Sequence, residues 1–380
     1  MADVALAVPG HKAVDSELRK IWGLGSNVII GWRALPFGLD VLYLPSYELP
    51  RVAKLYDDIL RANRHIESPE RFQALVTAGC RAKEIKIDAR LGRDDNSVDA
   101  INKLIRAYTV SHIPCRAVCL FDMVSFSLYS PFEQITQISL LSHYIKLASM
   151  RCQRLNMPMD LCSTTTGDGF YVWNRNEGLM ADVALYCTAM LALGYVYAAR
   201  AVAKTEAVPR LRCGLHWGSH YEYYGGSASD VFIVGEVTIE LARIISTAQS
   251  GQLLIGSYLR DLTESEPQVV QEFGIYSLDT ANFMALAQGQ LARLADVPVP
   301  GGKIESFNVF LTGPSVSEDT YSIRKYYVTD KHGLEHPCYN ARLNMKSSSG
   351  EIISFGLLDR DLGKFKARTD ANEDIVIRMG

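Results

Sequence analysis

Two spacings of apolar residues alternate along this chain. Ser26 to Tyr47 mixes short apolar runs with turn formers, as in Asn27-Val-Ile-Ile-Gly-Trp32 and Leu39-Asp-Val-Leu-Tyr-Leu-Pro45, a strand-like pattern. From Leu49 to Leu60 the period becomes helical, with Leu49, Val52, Leu55 and Leu60 on one face. Ser68-Pro-Glu-Arg71 has a capping residue before a proline, so the next helix opens there and runs to about Ala78. Gly92-Arg-Asp-Asp-Asn-Ser97 is a loop, followed by a helix over about 98–108.

The central pattern is more regular. A strand over Arg116–Phe121 runs into Asp122. A helix follows from Pro131 to about Arg154, with Ile135, Ile138, Leu141, Ile145 and Ala148 on its buried face. Asp160 to Thr166 and Gly169 to Trp173 form a hairpin around Gly167-Asp168, and an apolar helix covers about 179–202. A second hairpin is predicted from Arg210–Gly218 and His220–Gly225, then a helix over about 235–248 and a strand over Gln252–Ile255. The order β-α-β-β-α-β is ferredoxin-like. The expected fold class is therefore α+β: a ferredoxin-like core at 113–313, an N-terminal α/β extension at 1–112, and a β-rich C-terminal tail at 318–380. In the tail, Tyr321–Val328, Asn340–Lys346 and Ile352–Phe355 read as strands, with Ser347-Ser-Ser-Gly350 as a hairpin loop.

Val183 to Ala199 carries no charge and nears the length of a membrane span. Its tyrosines, its flanking Asp182 and Arg200, and its place between strands of one unit predict a helix buried against a sheet, with no stable membrane insertion. Composition changes this picture little. The 380 residues are 48% hydrophobic and 21% charged, with a formal net charge of −3 and so no global basic field for nucleic acid. Eight cysteines are scattered without C-x-x-C spacing, which predicts buried, reduced thiols and a cytoplasmic protein. The acidic N-terminus, Met-Ala-Asp-Val, predicts no secretory leader.

The candidate chemistry lies at two acids. Asp122 ends an apolar strand, and Asp168 sits in a Gly-Asp-Gly turn. Each alone is an ordinary turn residue. The β-α-β-β order brings both to one end of the sheet, where converging carboxylates repel unless a cation joins them. Two Mg²⁺ or Mn²⁺ ions on a nucleoside triphosphate suit such a pair. Val124, Ser125, Phe126 and Ser127 follow Asp122, and their amides would face phosphates if they opened a helix.

Further on stand Arg212-Cys-Gly-Leu-His-Trp-Gly218, Val234-Gly-Glu-Val-Thr-Ile-Glu-Leu-Ala-Arg243 and Ala248-Gln-Ser-Gly-Gln-Leu-Leu-Ile255. With the Phe-Asp strand end and the Gly-Asp hairpin, these motifs, in this order, resemble the catalytic domain of class III adenylyl/guanylyl cyclases. The resemblance covers about 113–313. It implies a head-to-tail homodimer with active sites at the interface. Asp122 and Asp168 would hold two Mn²⁺ or Mg²⁺ ions, with the Met123 carbonyl as a further ligand. Arg243 of the second protomer would act on the α-phosphate, and Val124–Ser127 would cradle the triphosphate.

The chain departs from the family where the ribose and base are bound. The family's Asn, four residues before Arg243, is Ile239, with Thr238 and Glu240 as possible substitutes. The purine-selecting positions, four residues before Asp168 and eleven before Arg243, are Thr164 and Phe232. The family's late phosphate-binding Lys has no aligned match, Lys303 being offset by a few residues. A short neutral residue paired with an aromatic one suits a smaller base. In this the chain looks like the bacterial pyrimidine cyclases of Pycsar antiphage systems. That resemblance implies conversion of UTP, with CTP as the second candidate, to a 3′,5′-cyclic nucleotide that reaches a separate effector. An adenylate or guanylate cyclase, and a catalytically inactive cyclase-fold nucleotide sensor, remain as alternatives.

Overall fold

In a computed structural model, the structure describes residues 10–55, 57–60, 64–87, 94–203, 207–226, 231–263, 266–274, 276–317 and 320–378. The chain divides into two compact units, 1–114 with 219–235, and 115–218 with 236–380.

The first unit begins with α1 (His11–Trp22), β1 (Asn27–Leu35) and β2 (Gly38–Pro45). Helices α2 (Leu49–Leu55) and α3 (Pro69–Thr77), strand β3 (Arg81–Lys86) and α4 (Asp95–Ile105) follow. The three strands form an antiparallel sheet in the order β1-β2-β3. Strands β1 and β2 are apolar on both faces because both are covered, while the edge strand β3 is largely exposed. Ile29, Leu39 and Val41 pack with Val14, Leu18 and Ile101 from α1 and α4. Val28, Ile30, Leu42 and Leu44 pack with Val52, Phe72 and Leu75 from α2 and α3. Ser68 caps α3 as its sequence requires, accepting the Arg71 amide at 3.1 Å. The helical pattern expected over 49–60 is split into α2 and a 3-10 turn at Asp57–Leu60. The fourth helix starts earlier than expected because Asp94 caps it. Of the loop placed before it, Gly92 and Arg93 lie outside the described residues.

The second unit is built on a long mixed sheet. Its first elements are β4 (Val110–Met123, from Cys115 onward), α5 (Pro131–Arg154), β5 (Leu161–Thr165), β6 (Gly169–Asn174) and α6 (Leu179–Ala203). Next is β7 (Leu211–Tyr224), which runs on into the first unit and there pairs with β8 (Val231–Val234). After α7 (Glu236–Ser246) come β9 (Leu253–Gly256), β10 (Leu259–Asp261), α8 (Pro267–Phe273), β11 (Ser277–Asp279) and α9 (Thr280–Ala292). The remainder is β12 (Pro298–Val299), β13 (Gly302–Leu311), β14 (Ser315–Ser317), β15 (Thr320–Ile323), β16 (Lys325–Thr329), β17 (Glu335–Ser347), β18 (Ile352–Phe355), β19 (Arg368–Thr369) and β20 (Ile375–Arg378). The sheet order is β12-β13-β17-β9-β7-β4-β6-β5, with β4, β5 and β6 antiparallel neighbours and β7 parallel to β9.

The structure differs from expectation in several places. The second hairpin does not form at Gly218-Ser219: β7 continues through both, and its antiparallel partner is β8. A Gly-Ser pair inside an uninterrupted pleat need not turn, and Gly218 serves packing instead. The tail at 318–380 is not a separate extension of a 113–313 core. Strand β17 lies between β13 and β9, burying Cys338, Ala341, Leu343 and Met345 and closing two edges that would otherwise be open. Residues 219–235, placed by sequence inside that core, belong instead to the first unit, and the extension expected at 1–112 runs to Pro114. Ile135 stays 59% exposed, since the buried stripe of α5 runs instead through Gln137, Leu141, Ile145 and Ala148.

The apolar helix α6 is long enough to cross a membrane, but nearly all of it is buried within this unit. It forms the middle of the core with Leu141, Ile145 and Cys152 of α5, and with residues of β4, β13 and β17. All eight cysteines are free thiols, seven of them buried.

Candidate active site

Local register brings the two acids together. Asp122 pairs with Gly169 across β4 and β6, and the Met123 amide donates to the Asp168 carbonyl at 2.8 Å. Gly169 has to be glycine there. A Cβ would stand 1.9 Å from the Phe121 carbonyl oxygen, so any side chain would push β6 away from the Asp122 strand end. Gly167 takes φ +100°, the left-handed region that lets the chain turn tightly in front of Asp168. The Thr165 hydroxyl accepts the Gly167 amide at 3.0 Å, and Thr166 donates its amide to the Gly169 carbonyl.

The Asp122 side chain is 13% exposed, and its Oδ2 accepts a hydrogen bond from Arg212 Nε at 2.5 Å. Arg212 Nη1 also donates to the Ala248 carbonyl at 3.3 Å, which anchors the guanidinium. Burial pushes the Asp122 carboxyl above the usual carboxylate range; Arg212 opposes that shift, and the charge of Asp168 adds to it. A buried carboxylate that also feels the charge of a second acid gains when a cation lies between the two. Both are oxygen donors, as a hard divalent ion requires. Among the described residues no cluster of three or more His, Cys, Asp or Glu side chains is placed to hold a metal. The two carboxylates would need further oxygen donors from elsewhere to complete the shell of such an ion.

The turn after Asp122 differs from its expected form. Ser125 has φ +59° and leads into a 3-10 turn, Phe126–Leu128, while α5 starts only at Pro131. The first turn of α5 is closed to anions by a capping box, with Ser130 accepting the Glu133 amide and Glu133 accepting the Ser130 amide. The Val124 amide is committed to the Arg210 carbonyl at 2.9 Å. A phosphate cradle here would rest on Ser125, Phe126 and Ser127 without a helix behind them.

The Gly-Leu-His-Trp-Gly motif is a seat for α7. Gly214, His216 and Gly218 point to one face of β7. A Cβ on Gly214 would lie 2.9 Å from Ile245, and one on Gly218 would lie 3.2 Å from Val237, both on α7. His216 lies between these glycines, and burial holds its imidazole below the usual range, so it stays neutral. Trp217 faces the opposite side, stacked on Tyr258 at 4.6 Å. From β6, the Tyr171 hydroxyl donates to the Thr238 carbonyl at 3.0 Å, tying the acid-bearing sheet to α7.

Arg243 lies on α7, its side chain 34% exposed, with Nε 3.4 Å from Asp330 Oδ2. It makes no hydrogen bond or ion pair with Asp122 or Asp168 in its own chain. Ile239, one turn earlier on that face, is 56% exposed. Neither suggested substitute for the family Asn is presented there: Thr238 is buried, and Glu240 Oε2 lies 2.8 Å from His336 Nδ1. Thr164 stands on β5 opposite Tyr171. Phe232 is on β8 in the first unit, 46% exposed and stacked on Tyr223. The amide of Lys303 accompanies the β17–β18 turn by donating to Ser348 Oγ at 3.1 Å.

Four residues that make these contacts have no role in the motifs of the sequence: Arg212, Tyr171, Asp330 and His336. Only Arg212 carried a signal, a cation opening the strand next to an acid-tipped one.

No protein-family model matches this chain. No curated protein matches it either. Among solved structures it is similar to the guanylate cyclase domain of RhGC from Catenaria anguillulae in complex with GTP, at 13% identity and a TM-score of 0.35, over 61% of this chain and 97% of that one. It is also similar to the adenylyl cyclase CyaB from P. aeruginosa, at 13% identity and a TM-score of 0.31, over 43% of this chain and 83% of that one. Adenylate cyclases from Trypanosoma brucei in their monomeric state match at 11% identity and a TM-score of 0.34, over 68% of this chain and 95% of that one. At these identities and scores the chemistry has to be argued from the residues themselves.

Proposed function

We propose that this chain is a nucleotide cyclase of the class III type, with a ferredoxin-like core that carries Asp122 at the end of β4 and Asp168 in the β5–β6 turn. The observation that carries this reading is their juxtaposition: Asp122 in register with Gly169, and the Asp168 carbonyl bonded to Met123. Mn²⁺ or Mg²⁺ bound there would neutralise triphosphate charge and acidify the attacking hydroxyl. Asp122, Asp168 and the Met123 carbonyl would hold that ion pair. Ser125, Phe126 and Ser127 would orient the phosphates.

In the reaction the ribose 3′-oxygen bonds to the α-phosphorus, its proton passes to solvent, and the α–β bridging P–O bond breaks. Diphosphate leaves, and the 3′,5′-cyclic nucleotide remains. Arg243 would stabilise charge on the α-phosphate from a second copy of the chain, in a head-to-tail homodimer. Its lack of contact with the acids of its own chain supports that arrangement. Thr164 and Phe232 replace the purine-selecting residues, so the substrate we favour is UTP, then CTP. The product would serve as a soluble messenger to a separate effector in antiphage defence, in the cytoplasm.

Incubation with each of the four labelled nucleoside triphosphates and Mn²⁺ tests this reading. Cyclic UMP or CMP with diphosphate is the expected outcome. Turnover of ATP or GTP alone would leave a cyclase but remove the pyrimidine assignment. Asp122→Ala with Asp168→Ala should abolish product while the fold persists; surviving turnover would place the chemistry elsewhere. A second reading, an inactive nucleotide sensor, draws on the Arg212–Asp122 pair, which already engages one of the two acids. Nucleotide binding without turnover in any of the four reactions would favour it.

A further inference from the structure

We infer that Asp330, from the tail, is a positioning residue that aims Arg243; this rests on the cyclase reading above. The two carboxylate oxygens of Asp330 have separate tasks. Oδ1 accepts the amides of His332 at 2.8 Å and Leu334 at 3.0 Å, which fixes the carboxylate in the β16–β17 turn. Oδ2 faces α7, 3.4 Å from Arg243 Nε and 3.5 Å from His336 Nε2. The Asp330 side chain is only 5% exposed, so this is a fixed anion in a partly dry setting.

His336 backs the arrangement. It is buried, with Nδ1 2.8 Å from Glu240 Oε2 on α7 and Nε2 toward Asp330. The order Glu240, His336, Asp330, Arg243 therefore staples the β16–β17 turn to α7 at two points one helical turn apart.

The consequence lies at the far end of Arg243. Its Nε side faces the Asp330 carboxylate as an ion pair, and its guanidinium makes no side-chain hydrogen bond among the described residues. A guanidinium paired with an anion on its Nε side can offer its terminal nitrogens as a fork. That fork suits two oxygens of a phosphoryl group, and the grip removes rotamers that an exposed arginine would otherwise sample. The tail thus acts on the reaction by setting where Arg243 points, without touching substrate.

The test compares Asp330→Asn, Arg243→Ala and the double variant. Asparagine can still accept the His332 and Leu334 amides through its one carbonyl oxygen, which turns its NH₂ toward Arg243. The turn is kept and the grip is lost. We expect Asp330→Asn to lower kcat about 10- to 100-fold with KM for the nucleotide changed less than about threefold. We expect it to cost nothing further in the Arg243→Ala background. An unchanged kcat, or an equal loss in both backgrounds, would overturn the assignment. If Arg243→Ala itself leaves turnover intact, the role given to Arg243 fails first; if Arg243→Ala alone lowers it, only the role of Asp330 fails.

Discussion

Arg212 and Asp122 meet across β7 and β4, Nε to Oδ2 at 2.5 Å, where Asp168 also places its charge. The arginine is thus the internal counterion of a carboxylate pair that would otherwise face itself. Removing it should weaken the metal-free protein and strengthen attraction for cations. We expect Arg212→Ala to cost on the order of 1–3 kcal/mol without metal, because a partly buried carboxylate loses its partner. Added Mn²⁺ should restore more of its melting temperature than it adds to the wild type. Thermal melts across a Mn²⁺ titration check this, and a variant that binds Mn²⁺ more weakly than wild type would contradict it.

The glycines around Asp168 should differ sharply in tolerance. Gly169→Ala forces a Cβ to 1.9 Å from the Phe121 carbonyl oxygen, a contact with backbone that cannot swing away. We expect a loss of about 3 kcal/mol or more, together with turnover. Gly167 has nothing within 4 Å of its Cβ position and only its φ of +100° to defend. Gly167→Ala should cost about 1 kcal/mol. Denaturant unfolding of both variants decides the contrast, and equal losses would refute it.

Asp182 gives the fold a pH dependence. Burial pushes its carboxyl up to about 7, against the Ala117 amide at 2.9 Å and the cations Arg260 and Arg116. Unfolded, an aspartate titrates near 4. Between those values the folded state holds a proton that the unfolded state has lost, so stability is full below about pH 4 and falls as pH rises to about 7. This contribution is on the order of 2–4 kcal/mol. Asp182→Asn can keep the Ala117 bond, while Arg260 retains Glu266 at 3.7 Å and Arg116 retains Glu177 at 3.2 Å. That variant should lack this slope and equal or exceed wild type at pH 8, as read from unfolding free energies at pH 5 and pH 8.

Truncation before residue 318 should not leave a working core. It deletes β17 from between β13 and β9 and exposes the apolar residues those strands bury, Phe307, Val309, Leu253 and Ile255 among them. We expect aggregation, or a species without near-ultraviolet circular dichroism. A soluble 1–317 fragment that melts cooperatively near the wild-type temperature would show the tail to be dispensable.

Local signals in the sequence were sufficient for what depends on neighbours along the chain. The Ser68-Pro69 start of α3, the burial of α6, the β5–β6 hairpin and the place of Asp122 and Asp168 at its turn follow from caps, periodicity and turn residues. Where Gly218-Ser219 suggested a turn, pairing with β9 and β8 kept β7 extended, because strand partners far away in sequence outweigh a weak local preference. Likewise the tail read as a separate set of strands, since nothing local marks which sheet a strand will join. Only the tertiary structure seats β17 inside the main sheet, sets Arg212 on Asp122, and brings Asp330 and His336 to α7. Those contacts join residues far apart in the chain, and burial and charge select such partners only once the chain has closed around them.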